Sequence, residues 1–405
     1  MLPVVTLTGP PFQRGQAHGR AARDRIDRNL TAYFARFARE AGLGADEVRV
    51  RAAAYWDLVR TEHPAYAEEM RGVADGAGVD LLAIVALNVR YEILYDAFAR
   101  QAVGAAGAPG SELRADGCTA FAVQPAASAD GHLLLAQNWD WFPEVQGLVL
   151  RRVAGGAGMP AEGDAPAGGG ARPDADGTNG RGAPGAAGDP ESLCFTEAGI
   201  VGGKLGLNAA GLGLAINGLI SEGDDAGRLA TPFHVRCHEI LRQRGFDAAV
   251  AVVAAGRRAC SANFLIAQVD DRVADLEAAP GAVRTLAPEG GVIAHTNHFL
   301  DAAALGIVEP VTDTRPFSVH RQVRCATLLR ERDAGGVTIA AAMAFLRDHD
   351  GHPQSLCRHR DARRPPERQS TTVASALMDL HAGRMWISDG PPCENPYQAL
   401  ALGGG

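Results

Sequence analysis

A cysteine stands directly behind a glycine in the segment RADGCTAFAVQP, residues 114–125. Turn-forming residues precede Gly117 and Cys118, and a strand-like run begins at Thr119. A thiol at this place could attack the carbonyl carbon of Gly117 and convert the amide into a thioester, which water would then cleave. Glycine tolerates the strained backbone that such an attack demands. The pattern therefore allows a cut that would make Cys118 a new N-terminal residue.

The residue released by such a cut would carry a thiol and an α-amine together. An α-amine titrates near ~7.7–8.0 and a thiol near ~8.5, so the amine can act as a general base around neutral pH. Cys118 would then need no histidine to activate it. The alternative interpretation of this segment alone is that Cys118 is a small buried hydrophobic residue, as most free cysteines are.

Three further motifs follow DGCTAFAVQP in order along the chain: AQNWDWF, FTEAGIVGGKLGLNAAGLGLAING and AHTNHF. With these motifs the chain resembles the isopenicillin-N acyltransferase family (acyl-coenzyme A:6-aminopenicillanic acid acyltransferases). The similarity runs from GPPFQRGQAHG near the start to RMWISDGPPC near the end. The resemblance implies a self-processing N-terminal-nucleophile hydrolase with an α+β fold, a four-layer αββα sandwich. It also implies a chain cut into segments 1–117 and 118–405 that stay associated.

The resemblance also implies roles for individual residues. Cys118 takes the nucleophile position, and Gly117–Cys118 takes the position of the cleaved bond. Asp140 matches the active-site aspartate, whose carboxylate could hold the new α-amine in place. Asn297 matches the asparagine associated with the oxyanion, a kind of donor whose loss typically costs ~10²–10³ in rate. Lys204, the only lysine of the chain, matches the family's own lysine, with a role in processing or site geometry; a surface lysine is the alternative.

Asn138 and Asn217 are two further candidates for contact with a substrate. Asn138 lies two residues before Asp140, so the two side chains would share one face of a strand. Asn217 could reach the same pocket from the strand GLGLAINGL. An asparagine at the end of a strand ladder is the alternative interpretation of Asn217.

His295 and Arg368 complete the candidate substrate-binding set. His295 would share a strand face with Asn297. Arg368 lies in the basic segment CRHRDARRPPERQS (357–370), which could attract an anionic substrate or the phosphates of an acyl-coenzyme A. A solvated loop broken by prolines is the alternative for this segment.

The pair His295 and His298 raises the question of a metal site. Positions three apart on a strand point to opposite faces, and no third ligand lies nearby at a recognisable spacing. We therefore expect no metal and no redox cofactor, and we expect HDGH (349–352) to form a loop. If Cys118 paired with His295 or His298, the chain would instead be an ordinary cysteine peptidase, active without cleavage at Gly117.

Two positions differ from the penicillin-forming members of the family. Their Ser-Arg pair aligns with Arg368-Gln369, and Ala279 stands where the penicillin enzyme has serine. We therefore expect an amidohydrolase or acyltransferase that acts on a linear amide, with an acyl amide or an acyl-coenzyme A as substrate. The alternatives are an unprocessed binding protein of the same fold and a penicillin-type, acyl-coenzyme A-dependent acyltransferase.

Hydrophobic periodicity predicts the elements that must position these residues. A strand at 3–8 is followed by helices to about residue 100, and strands follow Cys118. Helices return near 232–255 and over 318–347, with strands between them and the pair STTVASALMDL and GRMWISDG at the end. This order predicts two stacked sheets covered by helical layers.

The segment 154–190 interrupts this order. It contains twelve glycines, ten alanines and five prolines, and no aliphatic residue larger than Met159. Such a segment cannot bury enough apolar area to offset an ordering cost of about 1–2 kcal/mol per residue. We therefore expect a disordered surface insertion between two strands, as we expect a flexible loop at 103–117.

The bulk composition excludes several classes of partner. The 405 residues carry a formal charge of −8, which argues against nucleic acid or an anionic membrane. No apolar run approaches the roughly 20 residues of a membrane span, and the first residues do not read as a secretory signal. Seven cysteines without a C-x-x-C pair favour a reduced, cytoplasmic protein.

Overall fold

The structure, a computed structural model, describes residues 1–104, 117–154, 188–309 and 316–403. Nearly all of the insertion predicted at 154–190 lies outside the described residues, and so does most of the loop predicted at 103–117. Within the described parts of the chain, no helix is both long enough and apolar enough to cross a membrane.

Two β-sheets form the centre of the molecule. Strands and helices are numbered in chain order. The first sheet, as far as it is described, has the order β1 (Val4–Leu7), β4 (Gly147–Arg152), β5 (Ser192–Glu197), β6 (Leu205–Asn208), β7 (Leu212–Gly218), β8 (Ala262–Gln268), β9 (Arg272–Ala278) and β10 (Val283–Leu286). The second has the order β11 (Val292–His295), β2 (Thr119–Val123), β3 (Leu134–Trp141), β12 (Thr371–Asp379), β13 (Arg384–Asp389) and β14 (Gln398–Ala401). Neighbouring strands are antiparallel except β1, which is parallel to β4.

The helices cover both outer faces. They are α1 (Pro11–Ala21), α2 (Arg23–Arg36), α3 (Ala45–Glu62), α4 (Pro64–Ala77), α5 (Leu81–Asn88), α6 (Arg90–Gly104), α7 (Phe233–Leu241), α8 (Phe246–Ala254), α9 (Pro316–Arg330) and α10 (Ile339–Leu346). Helices α7 and α8 pack on the first sheet, while α9 and α10 pack on the second, and β2 and β3 contact β7 across the middle. The layers therefore run helix, sheet, sheet, helix, which confirms the predicted α+β sandwich of type αββα.

Strand β3 is fully buried although it carries three polar residues, Gln137, Asn138 and Asp140. The carboxamide of Gln137 faces the first sheet, where Oε1 accepts a hydrogen bond of 2.9 Å from the backbone N–H of Ile216. Asn138, the next residue, faces the opposite way and donates to backbone carbonyls beside α10. Because of this alternation, the odd-numbered side chains of β3 point towards the sheet–sheet interface, and the side chain of Asp140 points towards the helical side.

The helical first segment shares its core with the rest of the chain. Strand β1 extends the first sheet, with Val4 opposite Val149. Two buried phenols reach across as well: the O–H of Tyr55 donates to the carbonyl of Ala226 and that of Tyr91 to the carbonyl of Ser261. The helices before the 105–116 gap therefore do not form a separate domain.

Several predicted elements have different limits, each for a local reason. The strand predicted from 193 to 203 ends at Glu197, because Gly199 adopts a left-handed φ of 95°. The helix predicted over 318–347 breaks into α9 and α10, with Gly336 at a φ of 87° between them. The strand predicted through Asn297 ends at His295, so the argument that these two residues share a strand face is wrong. Strands β6, β10 and β14 were not expected.

Helices α1 and α4 cross at glycines, which explains the glycines of GPPFQRGQAHG. A Cβ built on Gly15 would lie 2.1 Å from the carbonyl oxygen of Glu69. A Cβ built on Gly72 would lie 2.1 Å from the carbonyl oxygen of Phe12. The two backbones can approach this closely only where neither helix carries a side chain.

We predict that Gly72→Ala destabilises the protein although alanine is the better helix former. The methyl group must push α1 and α4 apart, and overpacking of this kind typically costs about 1–3 kcal/mol. The matched control is Gly104→Ala at the end of α6, where a Cβ has no neighbour within 4 Å. Chemical denaturation should show a lower free energy of unfolding for Gly72→Ala and little change for Gly104→Ala. Equal effects would contradict the close crossing.

Candidate active site

Cys118 lies fully buried at the start of β2. It belongs with Ala120 and Ala122 to the core between the sheets, whereas Phe121 and Val123 belong to the core beneath α9 and α10. The thiol lies 3.9 Å from the backbone carbonyl oxygen of Asp140 on the neighbouring strand β3. The nucleophile candidate is therefore fixed by two strands and faces the space between the sheets.

Gly117 is buried against the guanidinium of Arg358. A Cβ built on Gly117 would lie 2.3 Å from Cζ of Arg358. The φ of Gly117 lies outside the left-handed region, so the strained backbone that the sequence suggested is not what requires glycine here. A side chain at position 117 would instead have to displace the guanidinium of Arg358.

Asp140 binds the segment that carries this arginine. Its Oδ1 accepts a hydrogen bond of 2.7 Å from the hydroxyl of Thr372, and its Oδ2 lies 3.6 Å from Nε of Arg358. The hydroxyl oxygen of Thr372 in turn accepts from the backbone N–H of Arg358, at 3.0 Å. Asp140 is fully buried, so its carboxylate and the guanidinium form a charge pair directly beside the Gly117–Cys118 peptide.

A second buried arginine, Arg321 of α9, contacts the next peptide group, between Cys118 and Thr119. Its Nη1 donates to the carbonyl oxygen of Cys118 at 2.6 Å, and its Nη2 donates to Oδ1 of Asn297 at 3.0 Å. Because a guanidinium only donates, the Oδ1 of Asn297 must face Arg321. The amide Nδ2 then faces the carbonyl oxygen of Gly218, 3.2 Å away.

Neither Arg358 nor Arg321 was identified from the sequence. Arg368, the arginine predicted to bind substrate, is exposed in the turn Pro366–Arg368, whereas Arg358 of the same basic segment is only 5% exposed. The basic composition of residues 357–370 was therefore the correct signal, assigned to the wrong residue. Arg321 resembles the other arginines of α9, and its role depends on contacts between distant parts of the chain.

Lys204 is buried beside Cys118 in the sheet–sheet interface. Its side chain is 1% exposed, and Nζ lies 2.5 Å from Oε1 of Glu197 and 2.9 Å from the ring centroid of Trp139. Glu197 also binds Arg90 of α6. Burial lowers the pKa of Lys204 to about 7, although Glu197 opposes the shift. A surface lysine is therefore excluded.

Glu197 is the common partner of the two cations. Burial alone would raise its pKa, but Arg90 and Lys204 outweigh that effect and hold the pKa of the carboxyl below its usual range. A negative charge on Cys118 also raises the pKa of Lys204. A carboxylate, an ammonium and a guanidinium therefore share one buried site next to the candidate nucleophile.

The two asparagine candidates make buried contacts with backbone carbonyls. Nδ2 of Asn138 donates to the carbonyls of Leu346 and Leu356, at 2.8 and 2.7 Å. Nδ2 of Asn217 donates to the carbonyl of His295 at 3.2 Å. Asn138 thus anchors the end of α10 to β3, and Asn217 connects the two sheets.

His295 uses both ring nitrogens within a buried acidic site. Nε2 lies 3.0 Å from Oε1 of Glu277, and Nδ1 lies 2.9 Å from the carbonyl oxygen of Thr296. Burial opposes the charged form, but Asp275 and Glu277 raise the pKa of His295 to about 9. A ring with both nitrogens engaged cannot serve as the base for Cys118. His298 lies apart from this acidic site, with Nδ1 2.9 Å from the hydroxyl of Ser318.

A cysteine at the first position of an inner strand of an αββα sandwich, with a buried aspartate and lysine beside it, is the arrangement expected from the sequence motifs. The family model for acyl-coenzyme A:6-aminopenicillanic acid acyl-transferase matches residues 191–393. The chain belongs to this family. The matched region contains Lys204, Asn297 and Arg358, whereas Cys118 and Asp140 precede it.

A sequence relative covers a longer part of the chain. The acyl-coenzyme A:6-aminopenicillanic-acid-acyltransferase 40 kDa form of Emericella nidulans is 25% identical over 384 residues, 94% of this chain and 90% of that protein. The similarity therefore extends beyond the region that the family model matches.

Solved structures with a similar course of the chain include a hydrolase and an acylase by name. A mutant of conjugated bile acid hydrolase from Clostridium perfringens is 12% identical, with a TM-score of 0.44 over 70% of this chain and 92% of that one. Penicillin V acylase from Agrobacterium tumefaciens is also 12% identical, with a TM-score of 0.36 over 67% of this chain and 83% of that one.

The acidic site around His295 predicts a specific pH dependence. Its folded pKa of about 9 lies above its ordinary value of 6.5, so the bound proton stabilises the fold fully below pH 6.5, and that contribution is lost as the pH rises through about 9. The difference in free energy of unfolding between wild type and His295→Gln should therefore shrink by about 3 kcal/mol between neutral and strongly alkaline pH. Denaturant titrations across this range measure it.

The exposed His320 supplies the control, since His320→Gln alters a histidine at the surface and should change the free energy of unfolding by only a small amount. A difference between wild type and His295→Gln that stays constant or grows with pH would show that His295 is not held in its charged form.

Proposed function

We propose that the chain is a self-processing cysteine amidohydrolase or acyltransferase that acts on a linear amide C–N bond through an acyl-thioester on Cys118. One observation carries this proposal. Two buried guanidinium groups contact this part of the chain: Arg358 lies against Gly117, and Arg321 donates to the carbonyl oxygen of Cys118. A purely structural cysteine at the start of a strand has no need of two buried cations beside its backbone.

The first step would cut the chain at Gly117–Cys118. The sulfur of Cys118 attacks the carbonyl carbon of Gly117, and the C–N bond breaks as the nitrogen takes a proton. Gly117 is then joined to Cys118 through a thioester, and water cleaves this ester to release the carboxylate of Gly117. Cations near a cysteine favour its thiolate form, and Arg358 places a positive charge beside Gly117, whose carbonyl oxygen becomes negative in the tetrahedral intermediate.

The same residue would then act on the substrate. The freed α-amine of Cys118 takes the proton of the thiol as the sulfur attacks the substrate carbonyl. The protonated amine donates to the leaving nitrogen, and an acyl-thioester remains until water or an acceptor amine removes the acyl group. We propose that Asp140 holds the charged amine. Its carboxylate contacts Thr372 and Arg358, and Arg358 lies against Gly117.

Asn297 is the proposed donor to the oxyanion. In the uncut chain its Nδ2 donates to the carbonyl of Gly218, and Arg321 fixes the opposite end of the amide. The amide cannot flip, because a flip would place its N–H groups against a guanidinium. Since Oδ1 stays bound to Arg321, Nδ2 is the atom that can donate to a substrate. In this proposal the bond to Gly218 is exchanged for one to the substrate oxygen.

A linear amide is the favoured substrate. Arg368, which aligns with the substrate-binding pair of the penicillin-forming members, is exposed. Ala279 stands in the position of their serine and is buried beside Leu219 and Phe299. These positions do not supply the polar contacts implied for a penicillin precursor. An acyl-coenzyme A donor remains the alternative, and the relative from Emericella nidulans is named for that chemistry.

The two segments, 1–117 and 118–405, would stay together after the cut. Strand β1 remains paired with β4, and the buried ion pair between Arg90 and Glu197 joins α6 to β5. All seven cysteines are free thiols, which fits the reducing compartment that we propose, the cytoplasm.

We predict that Cys118→Ala stays a single chain and has no amidase activity, because the attacking sulfur and the future base are both lost. Wild type should appear by intact mass as segments 1–117 and 118–405 that elute together under native conditions. Cys194→Ala is the control, since Cys194 is also a buried cysteine but lies on β5. It should be cut and active like wild type. Activity is measured against N-acyl amino acids, β-lactams and acyl-coenzyme A esters.

A wild-type chain that stays uncut yet hydrolyses amides would replace this proposal by a cysteine peptidase with a histidine partner. A chain that stays uncut and shows no labelling of Cys118 by an electrophilic acyl probe would favour a binding protein.

We predict that Lys204→Arg slows both the cut and substrate turnover by at least about tenfold. An arginine keeps a charge, but its planar guanidinium is larger than an ammonium, and the side chain of Lys204 between Glu197 and Trp139 is only 1% exposed. The control is Arg330→Lys at the exposed end of α9. Normal processing by mass, together with unchanged kcat and KM in Lys204→Arg, would remove any special role for the lysine.

A further inference from the structure

Four metal-ligating side chains converge in two loops beside the second sheet. His349, Cys357 and His359 lie in the loop 347–370 between α10 and β12, and Cys393 lies in the turn after β13. One ligand atom from each lies within 4.8 Å of all the others. The sequence spacing of these residues matches no familiar motif, so only the fold brings them together.

The individual distances match a tetrahedral metal site. Cys357 Sγ lies 3.5 Å from Cys393 Sγ and 3.5 Å from Nε2 of His359. Nε2 of His359 lies 3.2 Å from Cys393 Sγ and 3.1 Å from Nε2 of His349. Bonds of about 2.3 Å to sulfur and about 2.0 Å to nitrogen, at tetrahedral angles, separate neighbouring ligand atoms by about 3.3–3.8 Å.

Hydrogen bonds alone do not explain this convergence. Three polar atoms surround Nε2 of His359, and an imidazole nitrogen forms one hydrogen bond through its single proton or its single lone pair. The other ring nitrogen, Nδ1, lies 3.2 Å from Oε1 of Glu394. A carboxylate that accepts from Nδ1–H fixes the tautomer in which Nε2 presents its lone pair, as is usual for histidine ligands of metals.

A route from solvent to the cluster exists. His359, together with His352 and Glu394, lines a cavity of about 640 Å³ that also borders Thr371 and Thr372. Cys393 is itself exposed. An ion can therefore reach the four ligand atoms without any opening of the core.

We propose that His349, Cys357, His359 and Cys393 bind one zinc ion in a tetrahedral Cys₂His₂ site. Two thiolates and two imidazoles in tetrahedral geometry favour Zn²⁺ over harder divalent cations. Binding would release the thiol protons of both cysteines to solvent. This site departs from our expectation, from the sequence, of a protein without a metal.

The position of Arg358 between two of the proposed ligands indicates what the zinc ion would do. Arg358 stands between the ligands Cys357 and His359, and its guanidinium lies against Gly117. Loops as long as 347–370 seldom hold their shape without additional restraints. A zinc ion that fixes the residues on both sides of Arg358 would hold this positioning residue at the bond to be cut, a role that rests on the proposed function.

The first experiment measures metal content in the Cys118→Ala chain, so that the result does not depend on cleavage. Reduced protein is equilibrated with zinc chloride, desalted and analysed by plasma mass spectrometry, and one zinc per chain is expected. Cobalt(II) in its place should give the charge-transfer and d–d absorption of tetrahedral thiolate coordination. Adding Cys393→Ser, which alters an exposed residue, should lower zinc occupancy at least about tenfold. Adding Cys325→Ala, at a buried cysteine of α9, should leave it unchanged.

Two results would overturn the site. One is that the reduced chain takes up neither zinc nor cobalt. This result would count in the same way if Cys357 and Cys393 were found joined in a disulfide before reduction. The other is stoichiometric zinc that survives Cys393→Ser and Cys357→Ser alike.

The second experiment tests the effect of the ion on the loop. Trypsin should cut within the arginine-rich residues 357–370 several-fold faster in the zinc-free chain than in the zinc-bound chain. In the background with Cys118 intact, Cys393→Ser should slow the cut at Gly117, whereas Cys325→Ala should not. If wild type is never cut, the proposed function fails while the zinc measurement still stands. Equal tryptic rates would remove the role in positioning Arg358.

Discussion

The approach of Arg358 to Gly117 is the contact on which the candidate site depends. The guanidinium occupies the space that a side chain at position 117 would need, so a larger residue there would displace the arginine. Thr372 and Asp140 hold the arginine from β12 and β3, and the strand order that places β3 between β2 and β12 brings all of them to the first residue of β2. A buried cation is stable only with such partners.

A second buried charge cluster connects this site to the rest of the molecule. Glu197 ends β5 and binds Lys204 together with Arg90, which begins α6. Breaking a buried pair by removing one partner typically costs about 3–5 kcal/mol, since it leaves an unpaired charge. The cluster therefore ties the helical first segment and the first sheet to the position of Cys118. The proposed cut at Gly117 would leave these contacts in place.

The sequence predicted the fold class and the central strands, because those follow from periodicity and from motifs that are local in the chain. It did not predict Arg358 or Arg321, since their role arises only where distant loops and α9 meet β2. For the same reason, the sequence did not predict the cluster of His349, Cys357, His359 and Cys393. Glycines set two of the element ends that were placed wrongly, as Gly199 and Gly336 adopt left-handed φ values.

One peptide map would test most directly whether a single residue supplies both sulfur and base. The enzyme is mixed with a slowly hydrolysed acyl amide, quenched in acid and digested, and the peptide that carries the acyl group is sequenced by mass spectrometry. The account predicts a peptide that begins at Cys118, with a free α-amine and the acyl group on its sulfur. An acylated peptide in which Cys118 is still joined to Gly117 would contradict it, since the amine would then be an amide without basic character.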